Sequence, residues 1–227
     1  MCGRYTLTKS GEAIARTFGL KDTPTPTPRY NIAPTQPVSA ITAASGGGVQ
    51  GQKEYRIFQW GLVPSWAKDP GIGSRMINAR SETAAEKPSF RAAFKRRRCL
   101  VMADGFYEWK KAGTKKQPYY IQMSDRTLFG MAGLWEAWES GDGSYLESCT
   151  ILTTEPNDLM RSIHNRMPVI LHPQDYDQWL APSERPREQL QSLLRPYDTE
   201  SMATYPVSTT VNNPRHETAA CIEPIES

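Results

Sequence analysis

Apolar and polar residues alternate along much of the middle of the chain, with the spacing of β-strands that bury one face. Segments 38–42 and 54–60 flank a Gly-rich stretch at 46–51 and predict a β-hairpin. Similar alternation or short apolar runs predict further strands at the N-terminus and at 99–103, 118–123, 128–138, 145–153, 169–171 and 203–207. We therefore expect antiparallel strands to dominate the middle of the chain.

Apolar residues at helical spacing predict five short helices, at 10–18, 88–95, 155–162, 173–180 and 184–194. Gly19 is the predicted stop of the first helix, and Thr154 is the predicted N-cap of the third. The basic run at 95–98 is expected to be a solvent-exposed helix end, where the helix dipole favours cations. The segment from about 211 onwards is only weakly patterned.

Composition narrows the class of protein. The 227 residues are 38% hydrophobic and show no compositional break, so we expect one domain spanning 1–227. No apolar run is long enough for a membrane span, and the amino end lacks a signal-peptide core, so we expect a soluble, cytoplasmic protein. The net charge of +3 permits a polyanionic partner without requiring one.

The cysteines and histidines give no metal-binding pattern. Four widely spread cysteines contain no C-x-x-C pair, and three histidines show no zinc-like spacing with them. We expect free thiols, no metal and no cofactor.

Cys2 offers unusual chemistry. Aminopeptidases remove Met1 when the second residue is small, which would leave a cysteine as the first residue. An α-amine with a pKa of about 7.7–8.0 would then lie two carbons from a thiol with a pKa of about 8.5. Such a 1,2-aminothiol captures aldehydes, first as an imine and then as a thiazolidine ring. A cysteine at this position also occurs by chance, so Cys2 alone does not decide the function.

Other residues give signals that local sequence leaves open. Glu108 alternates with Phe106 on a predicted strand, which fits an edge charge or a tuned acid–base group equally well. His164 and Arg166 lie at a predicted helix-to-strand turn, where a histidine is either structural or functional. Trp60 is expected in the core, whereas Trp66 is expected in a surface loop rich in proline and glycine.

Six ordered motifs together resemble the SOS-response-associated peptidase (SRAP) family. The motifs are MCGR at 1–4, RYNIAP at 29–34, WGLVPSW at 60–66, NARSET at 78–83, RCLVMADGFYEW at 98–109 and IHNRMPVIL at 163–171. The resemblance runs from Cys2 to about Val207. It implies an α+β fold in which bent antiparallel sheets form a pseudo-barrel flanked by short helices.

The resemblance also implies a function, the covalent capture of abasic sites in single-stranded DNA by the N-terminal cysteine, with lyase activity and self-processing of Met1 as associated activities. Cys2 then matches the nucleophile, and Asn78, Glu108 and His164 match the polar residues of the active site. Arg4, Arg80 and Arg166 match positions that hold DNA phosphates. We expect a monomer with abasic single-stranded DNA as its partner.

The side-chain chemistry fits these assignments. Histidine exchanges protons near neutral pH and suits the opening of the closed abasic sugar, and a desolvated Glu108 suits the proton transfers of imine formation. Asn78 can orient the amine or a sugar hydroxyl without adding charge.

The expected DNA-binding surface also includes a base-stacking platform. Trp66 with Pro34 could form it, and Asn31, in the same loop as Pro34, is expected on that surface. Family members commonly carry a second aromatic residue after this tryptophan, whereas this chain has Ala67.

Two other classes of function remain open from the residues. An N-terminal-nucleophile amidohydrolase would also use Cys2, with its own amine as the base and Asn78 in an oxyanion hole. A non-catalytic single-strand-binding module would use the arginines and Trp66 without requiring a terminal cysteine.

Overall fold

The computed structural model describes residues 2–44 and 51–225, in which short helices surround two β-sheets. The strands, in chain order, are β1 (Tyr5–Leu7), β2 (Arg29–Ile32), β3 (Pro37–Ala43), β4 (Lys53–Trp60), β5 (Asn78–Arg80), β6 (Arg98–Ala103), β7 (Gly105–Ala112), β8 (Lys115–Met123), β9 (Phe129–Glu139), β10 (Tyr145–Thr154), β11 (Met167–Pro168), β12 (Ile170–Leu171) and β13 (Met202–Pro206). The α-helices are α1 (Gly11–Phe18), α2 (Ser81–Ala84), α3 (Arg91–Arg96), α4 (Asp158–Arg161), α5 (Tyr176–Leu180) and α6 (Arg187–Gln191).

The larger sheet closes on itself. Its strands pair in the order β10-β4-β3-β6-β9, and β9 pairs again with β10, so five strands form a barrel. All of these pairings are antiparallel except that of β10 with β4. Closure leaves these five strands without an open edge, and the expected α+β pseudo-barrel is confirmed.

The smaller sheet has the order β13-β8-β7-β1-β2, so the N-terminal strand β1 is an interior strand between β7 and β2. The chain passes from the barrel to this sheet between β6 and β7, at Asp104. The Asp104 carboxylate accepts hydrogen bonds from the Thr8 backbone N–H and hydroxyl, both at 2.6 Å, and from the Thr6 hydroxyl. The crossing therefore anchors β1 to the end of the barrel.

Local patterns place several elements as expected. The Ser10 side chain caps α1, and Gly19 ends the helix in the left-handed conformation at φ 68°. Strands β3 and β4 pair as the predicted hairpin, although most of its Gly-rich turn lies outside the described residues. Trp60 is fully buried, whereas the Trp66 side chain is 59% exposed, so both predictions are confirmed.

One local prediction is wrong, and another matches the structure only in part. Thr154 is the last residue of β10, and Asn157 is the N-cap of α4, because its side chain accepts a hydrogen bond from the Met160 backbone N–H. The strand predicted at 169–171 corresponds to β12, which pairs with β9, and a separate short strand, β11, precedes it and pairs with β10.

The basic run at 95–98 is not a uniformly exposed helix end. Arg98 is buried, and its guanidinium donates hydrogen bonds to the carbonyl oxygens of five residues, which are Phe94, Lys95, Trp179, Ala181 and Ser183. Burial lowers the pKa of Arg98 to about 10. Arg97 pairs with the buried Glu136 at 2.6 Å. These two side chains connect α3 to neighbouring elements, which the local charge pattern did not indicate.

The weakly patterned C-terminal segment folds against the smaller sheet. The Asn31 amide donates to the carbonyl oxygens of Val211, Asn213 and His216, at 3.2, 3.0 and 2.8 Å. Val211 and the free Cys221 are buried in a small apolar cluster with Tyr107 and Tyr120 of this sheet. Val207 belongs to the same cluster. Polar contacts to distant residues thus order a segment that lacks hydrophobic periodicity.

Candidate functional site

Cys2 lies beside the middle of β7 because β1 is an interior strand. Tyr5 is opposite Phe106 in antiparallel register, and the Tyr107 backbone N–H donates to the Arg4 carbonyl at 2.9 Å. Continued towards the amino end, this register brings Cys2 to the part of β7 that contains Glu108. Both side chains are buried.

Asn78 comes to the same place from the barrel. Strand β5 pairs in parallel with β10, with Asn78 opposite Ile151. The Asn78 Nδ2 donates a hydrogen bond of 2.7 Å to the Cys2 carbonyl oxygen. Its Oδ1 is buried and has no hydrogen-bond partner among the described residues.

His164 lies on the turn that leads from α4 into β11. Its backbone N–H donates to the Met160 carbonyl at 2.9 Å, and its Nδ1 accepts from the Arg166 backbone N–H at 3.0 Å. Strand β10 supports this turn, because Thr153 is opposite Pro168 of β11 on one side and Arg80 of β5 on the other. One end of β10 therefore brings the 78–80 and 164–168 segments together.

The electrostatics of the site centre on two buried acidic groups. Burial, and after it the negative charge of Glu108, raise the pKa of the Cys2 thiol to about 12. Burial also raises the pKa of the Glu108 carboxyl, while the positive charge of His164 opposes this shift. Glu108 therefore holds a proton more strongly than an exposed glutamate, which suits a group that must donate one.

The three candidate phosphate-binding arginines have different environments. Arg80 is exposed. The Arg166 guanidinium pairs with both carboxylate oxygens of Glu82, at 2.6 and 2.9 Å, and donates to the Thr153 carbonyl at 2.5 Å. This pairing lowers the pKa of the Glu82 carboxyl. A phosphate at Arg166 must therefore compete with Glu82.

Arg4 is used within the protein. Its Nη1 donates to the Asn31 Oδ1 at 2.7 Å and to the Val211 carbonyl at 2.8 Å, and its guanidinium lies 6.0 Å from the Trp109 ring centroid. Burial lowers the pKa of the Arg4 guanidinium. Arg4 thus links the end of β1 nearest Cys2 to the C-terminal segment.

The remaining residues predicted to contact DNA differ in their exposure to solvent. Trp66 presents an open aromatic face, and Pro34 is half-buried. Asn31 is fully buried, and its amide is used by Arg4 and the C-terminal segment, so no direct contact with DNA is open to it in this structure.

A groove of about 860 Å³ opens beside Glu108 and His164. Its remaining lining residues are Trp109, Lys110, Lys111, Lys116, Ser162, Ile163, Asn165 and Asn212. The three lysines of this groove are not among the site residues predicted from the sequence. Four lysines without an acidic residue between 110 and 117 were the signal that could have found them.

Two other kinds of feature are absent from the residues that the structure describes. Between residues 2 and 44 and between 51 and 225, no three His, Cys, Asp or Glu side chains group as metal ligands. In the same ranges, no helix has the length and apolar character needed to cross a membrane.

The chain is similar to known proteins in both sequence and fold. Residues 1–214 match the protein family described as SOS response associated peptidase (SRAP). The abasic site processing protein YoqW of Bacillus subtilis is 44% identical over 228 residues, covering 98% of this chain and 99% of that protein. The abasic site processing protein HMCES of Xenopus tropicalis is 34% identical over 224 residues, covering 87% of this chain and 66% of that protein.

The fold of this chain is also similar to the folds of solved crystal structures. A crystal structure of a protein from Bacteroides thetaiotaomicron superposes with a TM-score of 0.88 at 28% identity, covering 99% of this chain and all of that one. One from Bordetella bronchiseptica gives a TM-score of 0.77 at 27% identity, covering 91% of this chain and all of that one. By family match, sequence identity and fold, the chain belongs to the SOS response associated peptidase (SRAP) family.

Proposed function

We propose that this chain processes abasic sites in single-stranded DNA by bonding covalently to the sugar aldehyde through Cys2. The observation that carries the proposal is the convergence of Cys2 with Asn78 and Glu108 beside the groove that His164 also lines. The names of the relatives that process abasic sites support the same substrate.

The first step is the opening of the closed abasic sugar. A base removes the proton of the C1′ hydroxyl while an acid protonates the ring oxygen, and the C1′ aldehyde is released. His164 is suited to this exchange because it lines the groove and histidine transfers protons near neutral pH.

The second step joins the α-amine of a processed Cys2 to the aldehyde carbon. Loss of water from the resulting carbinolamine requires a proton on its hydroxyl oxygen, which Glu108 can donate because burial raises its pKa. The product is an iminium, in which the nitrogen is doubly bonded to C1′. The Asn78 contact to the Cys2 carbonyl orients the residue for this attack.

The third step closes a thiazolidine ring. The iminium charge favours ionisation of the neighbouring thiol, whose proton passes to Glu108, and the sulfur then bonds to the former aldehyde carbon. The electron pair of the carbon–nitrogen double bond returns to nitrogen, which becomes a neutral amine. One water is lost overall and no oxidant is needed. Because thiol ionisation follows iminium formation, the amine reacts before the sulfur.

Two variants separate the nucleophiles of Cys2. The processed wild-type chain should form a heat-stable product with abasic single-stranded DNA, whose intact mass is the sum of the two molecules less one water. Cys2→Ala keeps the amine and should give only a borohydride-trappable imine, with strand cleavage by β-elimination. An uncleaved residue before Cys2 makes the amine an amide and should abolish both products.

Cys221→Ala, which changes another buried cysteine, is the matched control and should react like the wild type. A heat-stable product from the extended chain would overturn the mechanism, since sulfur would then act alone.

The finer activities belong to the same proposal. We propose that the imine also permits slow strand cleavage, that the chain takes part in removing its own Met1, and that it acts as a cytoplasmic monomer. The mass of purified protein and its size in solution test Met1 removal and the monomer.

A further inference from the structure

The hairpin of β7 and β8 is strongly basic at its tip. Residues 110–117 contain four lysines and no acidic residue. Within the described ranges, Lys110, Lys111 and Lys116 have no ion pair with a carboxylate, and Lys111 and Lys116 are exposed. The charge on this hairpin is therefore uncompensated by the part of the chain that the structure describes.

Lys111 and Lys116 lie directly opposite each other across the hairpin. Like charges in such a cross-strand pair destabilise a sheet, because both groups are held a short distance apart on the same face. The free protein thus holds an unfavourable charge pair, which a polyanion lying against it would relieve.

The same two lysines line the groove that Glu108 and His164 line. Lys111 is three residues beyond Glu108 on β7, which places it about 10 Å along the strand from the reacting groups. Trp109 lies between them in sequence and adds an aromatic wall, held by its indole N–H, which donates to the Asn212 Oδ1 at 2.7 Å.

We propose that this groove is the path of the DNA strand on one side of the abasic sugar, with Lys111 and Lys116 binding its backbone phosphates. This inference rests on the proposed function for the identity of the polyanion. The strand leaves the reacting sugar beside Glu108, passes Trp109 and brings its next phosphates to the lysine pair. Phosphates on the other side of the sugar are left to different residues, such as the exposed Arg80.

Charge-changing variants test the path without using the covalent reaction. The probe is an unmodified oligothymidylate of about 12 nucleotides, within the range of lengths that single-strand-binding grooves cover. Lys111→Ala and Lys116→Ala should each weaken binding and flatten the log–log dependence of affinity on salt by about 0.7. Lys115→Ala is the matched control, because Lys115 is opposite Ala112 in the next register position and does not line the groove.

Lys116→Glu separates binding from folding. It converts the like-charge pair with Lys111 into an opposite-charge pair, so the thermal unfolding midpoint of the free protein should be no lower than that of the wild type. Its affinity for the oligonucleotide should nevertheless fall further than that of Lys116→Ala. A lowered midpoint that accounts for the lost affinity would overturn the proposal.

The one-sided path has its own test. Abasic oligonucleotides are prepared with flanking nucleotides only on the 5′ side or only on the 3′ side of the lesion. The lysine variants should slow capture of one of these oligonucleotides and leave the other unchanged. Equal slowing of both would overturn the proposal, since it would indicate general attraction rather than a path.

Failure of this inference is distinguishable from failure of the proposed function. Wild-type salt dependence in both alanine variants, together with normal capture of abasic DNA, would overturn the groove path alone. Flattened salt dependence in a protein that forms no product with abasic DNA would overturn the covalent chemistry and leave the groove as a single-strand-binding surface.

Discussion

The Glu108 carboxyl is buried beside the Cys2 thiol. Because its pKa is raised, the stability of the protein should depend on pH through this group. The folded state holds the Glu108 proton to a higher pH than the unfolded state does. Between the ordinary glutamate pKa of about 4.3 and the raised value, the folded state binds more protons, so this group lowers stability as pH rises.

Glu108→Gln should therefore raise the free energy of unfolding relative to the wild type at pH 7, and the difference should vanish at about pH 4 and below. The same change removes the proposed proton donor and should slow adduct formation by about 10²–10⁴-fold. Urea unfolding at a series of pH values measures the first effect, with the exposed Glu155→Gln as the control. A stability difference that does not change with pH would contradict this account of Glu108.

Gly105 is the first residue of β7, where the chain enters the smaller sheet from the barrel. A Cβ atom at this position would lie 2.1 Å from both the Cζ and the hydroxyl oxygen of Tyr120. That tyrosine cannot easily move, because its hydroxyl is 2.8 Å from the Thr6 hydroxyl and its ring is buried.

Gly105→Ala should lower the free energy of unfolding by about 3 kcal/mol, because a buried ring and strand β1 must both shift. Gly141→Ala is the matched control, since a Cβ there meets no atom within 4 Å. Denaturant unfolding compares the two, and equal small effects would show that the crossing tolerates a side chain.

The C-terminal segment and the N-terminal strand are joined through Asn31, which contacts Arg4 and three carbonyl groups of the segment. Asn31→Ala should leave these groups unpaired and lower the free energy of unfolding by about 3 kcal/mol. Amide hydrogen exchange should also increase within residues 210–221.

The exposed Asn165→Ala should have neither effect. Unchanged exchange at 210–221 in Asn31→Ala would show that the segment is held without this amide.

The sequence predicts the strands and helices that are determined by local residue patterns. It does not predict the contacts between polar residues that are distant in sequence. The alternation on each side of 141–143 gave β9 and β10, and the capped periodicity at 10–18 gave α1. The strand face of Glu108 followed from its alternation with Phe106.

The Arg166–Glu82 pair joins residues 84 positions apart, and the contacts of Asn31 with the C-terminal segment join residues 180 or more positions apart. No local pattern specifies contacts at such separations. Arg98 is similar, because a basic residue near a helix end gives the same pattern whether its carbonyl partners exist or not. The positive charge of residues 110–117 can be read from the sequence. That these lysines line a groove with Glu108 and His164 can be seen only in the folded structure.

The burial of the Cys2 thiol has a consequence for selectivity in a cell that contains peroxides and reactive metabolites. With a pKa of about 12, very little of the thiol is ionised at pH 7, and oxidants attack the ionised form. Burial therefore protects the Cys2 sulfur, the proposed nucleophile, from sulfenic acid formation in the resting protein. In the proposed mechanism, the sulfur becomes reactive only beside the iminium cation that a bound aldehyde creates, so the lesion itself would activate the thiol that captures it.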